Sequence, residues 1–289
     1  MNMIVHREKP PLRRESPAEK RPASLLVFLF WEILNRRGVE AGMAQIFCFS
    51  ADLPLDCGFP LFGGFHLAVL ALILTLCLKI GWISRRIPGF SRKLSRYMGL
   101  SEILRLLILA KIGHLTVDVL PLHLCSLAVW LCVAYAVRPI RWVGQVLYTL
   151  CLPGAMSALL FPDWTVYPPY SYFCLHAFAV HSAAVLFILL ELKRGYIRPS
   201  WHLAYQPILF LSILVPVLSC FNRMFHTNYL FLTEPSRGSP LIYLSSLPPG
   251  YRTSYLIGLV CLIGLMLWIW HLAHRHRSAH KPSDDCPEP

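Results

Sequence analysis

Several ionisable side chains lie inside apolar stretches of this 289-residue sequence. Four histidines and one cysteine share this property: His66, His123, Cys125, His176 and His181. A histidine can act as a general base, and a cysteine beside a histidine can become a nucleophile when the thiolate form is favoured. Three histidines and a water molecule can also hold a zinc ion. These residue types therefore allow base or nucleophilic catalysis, or a metal site, provided that the fold brings them together.

The composition indicates that membrane-spanning helices carry these residues. Only 15% of the residues are charged and 56% are hydrophobic, with a mean hydropathy of +0.53. A soluble protein carries roughly 25% charged residues, so an ordinary soluble enzyme is excluded. A disordered chain is excluded as well, because large apolar residues are too frequent.

The distribution of positive charge is typical of a membrane protein rather than a nucleic-acid-binding protein. The net charge is +12, but the 27 Lys and Arg lie in short clusters between the apolar stretches. The ten cysteines are scattered without a CxxC pair, so we interpret most of them as small apolar residues. We expect a multi-pass protein of the cell (plasma or inner) membrane whose partners include membrane lipids and no nucleic acid. The sequence assigns no cofactor and no metal.

Seven stretches are predicted as transmembrane helices, which need about 20 mostly apolar residues. They are Phe59–Ile83, Tyr97–His114, Val119–Val137, Trp142–Phe161, Tyr172–Leu190, Leu203–Phe221 and Ser254–Leu272. The second is the least apolar because it holds Glu102, Arg105 and Lys111. Glu102 and Arg105 are three residues apart on one helical face, which predicts a mutual ion pair. The expected fold is an all-α, seven-helix transmembrane bundle.

The Lys and Arg residues in the loops, in the C-terminal tail and near the helix ends indicate the orientation of this bundle. Thirteen of them share one side: Arg85, Arg86, Arg92, Lys93, Arg96, Arg138, Arg141, Lys193, Arg194, Arg198, Arg275, Arg277 and Lys281. Four lie on the other side: Lys111, Arg223, Arg237 and Arg252. Because cytoplasmic loops carry the excess of Lys and Arg, we predict an N-out/C-in membrane domain over residues 47–272 and a cytoplasmic tail at 273–289.

The N-terminal extension, residues 1–46, does not fit this orientation. Residues 1–41 carry eight Lys and Arg, which would place a basic segment on the outer side. Two explanations are open. Translation begins at Met43, so that the extension is not native, or the extension lies on the membrane surface as an amphipathic segment.

The predicted orientation brings most polar groups to the outer half of the bundle. His66, His123 and His181 arrive at similar depth on three helices, and Asp163 lies in a short outer loop. Ionisable groups at such depths usually face the bundle interior and mark function. We therefore predict that the three histidines line one pocket, which the segment Asn222–Asn228 caps.

Two further sets of residues are expected on the outer side. Asn222, Asn228 and Tyr229 are assigned to the substrate pocket together with His66. The aromatic residues after Asp163 are expected to form an interfacial belt: Trp164, Tyr167, Tyr170 and Tyr172. His176 and His181 are five residues apart and thus about 140° apart around a helix, so at most one of them should face the site.

Four motifs of the sequence resemble the YwaF-type family of bacterial integral membrane proteins. They are LPLHLCSL (Leu120–Leu127), the stretch from PG to LLFPDW (Pro153–Trp164), the helix that leads from His181 to KRGYIRP, and NRMFHTNYLFLTEPSRGSPL (Asn222–Leu241). Their order and spacing hold over roughly residues 47–272. The resemblance implies an integral membrane fold more firmly than a reaction.

A more distant resemblance is to the eukaryotic transmembrane-protein-164 family. It implies a membrane-embedded acyltransferase that acts on phospholipids with a cysteine and a histidine. His181 matches that family's histidine, and His123 matches the histidine of its Pro–Cys–His–Leu run. Leu122 stands where the family has its cysteine, and the nearest thiol, Cys125, lies about 4.5 Å further along a helix. The catalytic residues that this resemblance suggests are His181, His123 and Cys125.

Four functions remain open from the sequence. The first is lipid-directed acyl transfer or hydrolysis, with His181 or His123 as the general base and Cys125 as the nucleophile. The second is transport or sensing of a small solute, with histidines coupled to protons. The third is a metal site formed by His66, His123 and His181. The fourth is a non-catalytic membrane protein with a structural or partner-binding role.

Reporter fusions test the predicted orientation. A reporter that works only in the cytoplasm should be active when it is fused after Pro289 and inactive when it is inserted near Ser236, because the clustered Lys and Arg retain their side of the membrane inside the cell. The activity of both fusions in whole cells is the measurement. An external C-terminus would contradict the argument from loop charge.

Overall fold

Helix follows helix through the described part of the chain, and no strand occurs in it. This computed structural model describes residues 46–49, 57–236 and 238–279, with side chains described as far as His274. The predictions for the N-terminal extension, including the start at Met43, and for most of the 273–289 tail fall outside these residues. The helices are α1 (Gly64–Arg86), α2 (Phe90–Lys111), α3 (Leu124–Val137), α4 (Arg141–Leu160), α5 (Tyr172–Lys193), α6 (Tyr205–Phe225) and α7 (Tyr251–Ala279).

Five of these helices are long and apolar enough to cross a membrane, namely α1, α4, α5, α6 with the turn before it, and α7. Helix α3 has 14 residues, which is short of the roughly 20 that the hydrocarbon core requires. Helix α2 carries several basic residues and the Glu102–Arg105 pair. The chain is therefore an all-helical, multi-pass membrane protein, and the count of seven spans stays a prediction.

The outer faces of these helices are apolar, as contact with lipid requires. Among the side chains that are about half exposed or more are Leu72, Leu74, Leu78, Ile213, Val217, Ile257 and Trp268. A water-soluble monomer rarely exposes contiguous apolar surface of this kind. The exposed leucines and isoleucines of α1, α6 and α7 therefore mark the lipid-facing side of the bundle.

Three predicted helix starts differ from the structure by five residues or more, and the first helix begins at Gly64 rather than at the predicted Phe59. The third helix begins at Leu124 rather than Val119, because Pro121 disfavours helical backbone at the residue before it. That residue, Leu120, is extended. The second helix begins at Phe90, before the predicted Tyr97, because its basic first turns lie near the end of the bundle, where long side chains can reach the interface.

Helix α5 is the central helix of the bundle. It packs against α1, α2, α3 and α4. In its most apolar 18-residue stretch, 78% of the residues are buried, whereas the corresponding stretches of α1 and α7 are 11% buried. Each face of α5 therefore meets a neighbouring helix, and its polar residues must find partners there.

Side-chain hydrogen bonds define one end of the bundle. Gln145 of α4 donates from Nε2 to Ser200 O (2.9 Å) and accepts from Ser200 N–H (3.1 Å), and Arg194 donates to Ser91 Oγ (3.0 Å). The α1–α2, α3–α4 and α5–α6 connections thus share this end with ten basic residues: Arg85, Arg86, Arg92, Lys93, Arg96, Arg138, Arg141, Lys193, Arg194 and Arg198. We call it the basic end and the opposite end, which carries the other connections, the histidine end.

Helix α4 contains a π-helical turn at Leu147–Cys151. Pro153 follows this turn and has no N–H to donate to an earlier carbonyl. Tyr148, which lies inside the turn, donates its hydroxyl to Met266 O of α7 (2.8 Å). The wider turn thereby joins α4 to α7.

A buried ion pair joins α2 to α5. Arg105 donates from Nε to Glu102 Oε2 (3.0 Å) and from Nη2 to Glu102 Oε1 (2.7 Å), so the predicted pair is confirmed. His176 of α5 adds its Nε2 at 3.4 Å from Glu102 Oε2, and its Nδ1 lies 2.8 Å from the Ser101 hydroxyl. The Glu102 side chain is 3% exposed. Because a carboxylate buried this far requires partners, these contacts fix α2 against α5.

Removal of one partner of this pair should destabilise the bundle. Glu102→Leu leaves the Arg105 guanidinium without its carboxylate, so we expect a loss of about 3–5 kcal/mol of stability and a lower thermal midpoint of the purified protein in detergent. Arg96→Gln is the matched control, since Arg96 is exposed on the same helix. The double variant Glu102→Leu/Arg105→Leu should be less destabilised than Glu102→Leu alone. A single variant that melts like the parent protein would contradict the proposed cost of the unpaired charge.

Candidate functional site

Two side chains from other elements fix the start of α3. Arg105 donates from Nη2 to Val119 O (3.1 Å), and the Tyr229 hydroxyl donates to Val117 O (2.5 Å). Both carbonyls belong to the short 3-10 turn Val117–Val119. Buried carbonyls outside a regular helix need partners of this kind. This 3-10 turn positions His123, which is the N-cap residue of α3.

Asn222 and Asn228 shape the loop that carries Tyr229. Asn222, at the end of α6, accepts from Tyr229 N–H (2.9 Å) and donates to Tyr229 O (3.0 Å). Asn228 accepts from Thr233 N–H (3.0 Å) and donates to Glu234 O (2.9 Å). The amides of these two predicted pocket residues are thus hydrogen-bonded to the backbone of their own loop.

The same loop places two aromatic rings against His123. The ring centroids of Tyr229 and Phe231 lie 4.9 Å and 5.2 Å from that of His123. Burial raises the pKa of Tyr229 to about 12, so its hydroxyl stays protonated and remains a donor. His123 itself is half-buried. Its ring is held by packing, and among the described residues it has no hydrogen-bond partner.

His181 presents one ring nitrogen without a partner. Its Nδ1 lies 2.7 Å from Ala177 O on the preceding helical turn, so the contact assigns the proton to Nδ1. Its Nε2 is buried and has no partner among the described residues, although the side chain is only 9% exposed. A buried polar atom without a partner requires an explanation. The unpaired lone pair of Nε2 makes His181 the strongest candidate for a ligand-binding or reacting group.

Trp164 covers the ring of His181. The two ring centroids are 4.9 Å apart at an interplanar angle of 28°. Trp164 is 8% exposed, and its Nε1 is also buried without a partner in the described part of the chain. The interfacial belt prediction is therefore wrong for Trp164 and also for Tyr167, which is buried as well. Both rings are turned inward, and the stacked pair offers an unpaired donor beside an unpaired acceptor.

Asp163 relates three predicted site residues to one another. Its carboxylate lies close enough to act electrostatically on His123, Cys125 and His181. Glu102 acts likewise on Cys125 and His181. The structure thus brings these three predicted catalytic residues into the electrostatic reach of one carboxylate, that of Asp163, at the histidine end.

Cys125 lies in the first turn of α3 and is half-buried. The backbone N–H groups of Cys125 and Ser126 act on its sulfur, which favours a negative charge there, as does the positive end of a helix dipole. The carboxylates of Glu102 and Asp163 oppose that charge. The environment of this thiol therefore contains both stabilising and destabilising groups for a thiolate.

His66 has both ring nitrogens engaged within the protein. Phe62 N–H donates to Nδ1 (3.0 Å), and Nε2 donates to Leu159 O (2.8 Å), which joins α1 to α4. The side chain is fully buried. Phe178 packs on His66 at a centroid distance of 5.9 Å and on Trp164 at 5.2 Å. The rings of Phe178 and Trp164 therefore connect His66 to His181 through aromatic packing.

Two cavities in the described part of the chain lie away from these residues. Each has a volume of about 380 Å³ and is lined by residues of the basic end and of the adjoining part of α6. No predicted site residue lines either of them. Within residues 46–49, 57–236 and 238–279, no group of three or more His, Cys, Asp or Glu side chains is placed to hold a metal ion.

The sequence did not predict the contacts of two side chains at this site. Trp164 looked like an interfacial aromatic residue, and only the packing of α4 on α5 shows that it covers His181. Arg105 was assigned to an ion pair, whereas it also supports the turn before α3. A sequence signal was available for neither contact, because each joins residues that are 14 or more positions apart.

The fold and the site together define a multi-pass helical membrane protein with an unpaired, buried histidine at one end. The chain belongs to the TMEM164 family, which it matches over residues 61–272. The resemblance to the transmembrane-protein-164 family is thereby confirmed, and the YwaF-type assignment stays a prediction. Comparison with curated proteins and with solved structures gives no match.

The support of the α3 turn by Tyr229 can be tested by removal of one oxygen. Tyr229→Phe keeps the ring against His123 and leaves the Val117 carbonyl without its donor, so we expect a loss of about 1–3 kcal/mol of stability. Thermal unfolding of the purified protein in detergent measures it. Tyr243→Phe is the control, because Tyr243 is 75% exposed and should tolerate the change. Equal midpoints for the two variants would contradict a supporting role.

Proposed function

We propose that this protein is a lipid-directed acyltransferase or hydrolase in which His181 is the general base. One observation carries the proposal: Nε2 of His181 is buried without a partner, while Nδ1 bonds to Ala177 O. A general base needs a neutral imidazole whose lone pair faces the reactant. Membership of the TMEM164 family supports acyl transfer on membrane lipids.

The proposed reaction uses the hydroxyl of an acceptor as the nucleophile. Nε2 of His181 takes the proton of that hydroxyl, which belongs to a lipid alcohol in transfer and to water in hydrolysis. The acceptor oxygen forms a bond to the ester carbonyl carbon. The bond from that carbon to the original alcohol oxygen then breaks, and this oxygen takes the proton back from Nε2. His181 ends in its starting state, and no oxidant or reductant is required.

His123 and Asp163 have supporting roles in this proposal. The Asp163 carboxylate stabilises the imidazolium that exists on His181 between the two proton transfers, since the two opposite charges attract each other. His123 donates a ring N–H to the carbonyl oxygen on which negative charge develops. Its ring has no protein hydrogen-bond partner among the described residues, and it lies within the electrostatic reach of the same Asp163.

We assign Cys125 no covalent role. Glu102 and Asp163 both act on its sulfur and oppose a thiolate. In addition, the thiol lies three positions beyond Leu122, the residue that occupies the cysteine position of the acyltransferase pattern. The same two carboxylates favour a proton on His181. We therefore assign the catalytic role to the His181 base rather than to the Cys125 thiol.

We further propose that all seven helices span the membrane and that the basic end faces the cytoplasm. The short α3 would complete its passage with the extended segment and the turn that precede it. The basic residues of the three connections support this orientation through the positive-inside rule. The histidine end would then face the outer leaflet, from which the lipid substrate would come. The YwaF-type relationship and the location in a plasma or inner membrane belong to the same proposal.

Substitutions at His181 and Cys125 distinguish the two mechanisms. His181→Asn keeps a donor towards Ala177 O but removes Nε2, so we expect acyl transfer or hydrolysis to fall at least about 100-fold. Cys125→Ala should leave the rate unchanged. The double variant should be no slower than His181→Asn. The assay follows a deuterated acyl chain from a phospholipid to a lysophospholipid or to water in nanodiscs by mass spectrometry.

The matched control for that experiment is His202→Asn, because His202 is exposed at the basic end and should be fully active. Variants are compared only where thermal unfolding shows that they fold. Full activity of His181→Asn would contradict the base assignment. Loss of activity in Cys125→Ala would instead favour a thioester intermediate.

A further inference from the structure

A polar cavity at the basic end has no part in the proposed reaction. Its volume is about 380 Å³, within the roughly 300–1,000 Å³ of small-molecule sites. It is lined by residues of α3, of the start of α4 and of the α5–α6 connection: Tyr135, Arg141, Gly144, Tyr196, Ile197 and Arg198. We call it the arginine cavity.

The walls of the arginine cavity are fixed by hydrogen bonds and by close packing. Gln145 clamps the α5–α6 connection to α4 through its two bonds to Ser200. Arg198 donates from Nε to Gly195 O (2.7 Å), which anchors one edge of the guanidinium. A Cβ on Gly144 would lie 3.1 Å from the Tyr135 ring and 3.4 Å from its hydroxyl oxygen. Only a residue without a side chain leaves this space beside the Tyr135 hydroxyl.

The charges around the arginine cavity favour an anion. Ten Lys and Arg lie at the basic end, and the segments 85–96, 137–146 and 191–206 contain a single acidic residue, Glu191. Glu191 is already paired with Arg194, with 3.6 Å between Oε1 and Nη1. Two guanidinium groups and a tyrosine hydroxyl suit a phosphate, because arginine donates in a planar fork to its oxygens.

An apolar groove begins next to the arginine cavity. It has a volume of about 380 Å³ and is lined by residues of α4 and α6: Trp142, Tyr205, Gln206, Leu209, Phe210 and Ile213. Trp142 follows Arg141 directly, and consecutive Cα atoms are about 3.8 Å apart. A ligand with a phosphate in the cavity therefore has an apolar channel within reach. A phospholipid joins these two chemical groups in one molecule.

We propose that the arginine cavity and the adjoining groove bind one phospholipid of the basic-end leaflet. Its phosphate is held by Arg141, Arg198 and the Tyr135 hydroxyl, and one acyl chain lies along Leu209 and Ile213 of α6. The site lies at the opposite end of the bundle from His181 and binds its lipid without reacting with it.

Native mass spectrometry of the full chain in detergent tests this site. The probes are dihexanoyl phosphatidylglycerol, inorganic phosphate and dihexanoyl glycerol, which lacks the phosphate. We expect saturable binding of the phospholipid, weakened about tenfold or more in Arg141→Gln and in Arg198→Gln, since each loses a hydrogen bond to a charged group. Gly144→Ala should also weaken binding, because its methyl group would crowd the ring and the hydroxyl of Tyr135 while both arginines remain.

Arg138→Gln is the matched control, because Arg138 is exposed in the same connection and does not line the cavity. It should bind the phospholipid like the parent chain. Equal loss in Arg138→Gln would reduce the effect to general surface charge and overturn the site. Inorganic phosphate that binds as tightly as the phospholipid would overturn the lipid as occupant, and dihexanoyl glycerol that binds equally would overturn the role of the arginines. The proposed chemistry at His181 is unaffected by any of these outcomes.

Discussion

The arrangement of the histidine end depends on the burial of one carboxylate. Glu102 is almost inaccessible, so its charge must be satisfied within the protein. Arg105 supplies two hydrogen bonds to it and then extends to the Val119 carbonyl, while His176 closes on it from α5. One buried charge therefore sets the spacing of α2 and α5 and the backbone from which α3 begins. Because His123 and Cys125 lie in that first turn, their positions follow from the same constraint.

Two histidines of this protein show how the same side chain takes opposite roles. Both nitrogens of His66 bond to backbone groups, so that the ring acts as a link between α1 and α4. In His181 only Nδ1 is bonded, and its acceptor is the carbonyl four residues earlier on its own helix. That bond fixes the tautomer without help from another element. Nε2 therefore has no structural partner among the described residues, and Trp164 stacks on the face of the same ring.

Hydropathy and residue spacing predicted the helices and one ion pair within a helix. The apolar stretches gave five spans at nearly the observed positions, and the three-residue spacing of Glu102 and Arg105 gave their ion pair, because both signals are local. The errors come from contacts between distant segments. The burial of Trp164 depends on the angle at which α4 leads into α5, and the engagement of His66 depends on a carbonyl 93 residues away. Periodicity identifies the apolar face of a helix but not which neighbour covers it.

The two ends of the bundle differ in the charges that surround their polar residues. At the histidine end, Arg105 neutralises Glu102, while the exposed carboxylate of Asp163 acts on His123, Cys125 and His181. The Asp163 carboxylate favours a positive charge on either histidine and opposes a negative charge on the Cys125 sulfur. At the basic end, ten cations face one carboxylate that is already paired, which favours a bound anion. The proposed base, which gains a proton, and the proposed phosphate site require electrostatic potentials of opposite sign. Because the two sites lie at opposite ends of the bundle, each end can maintain the potential that its site requires.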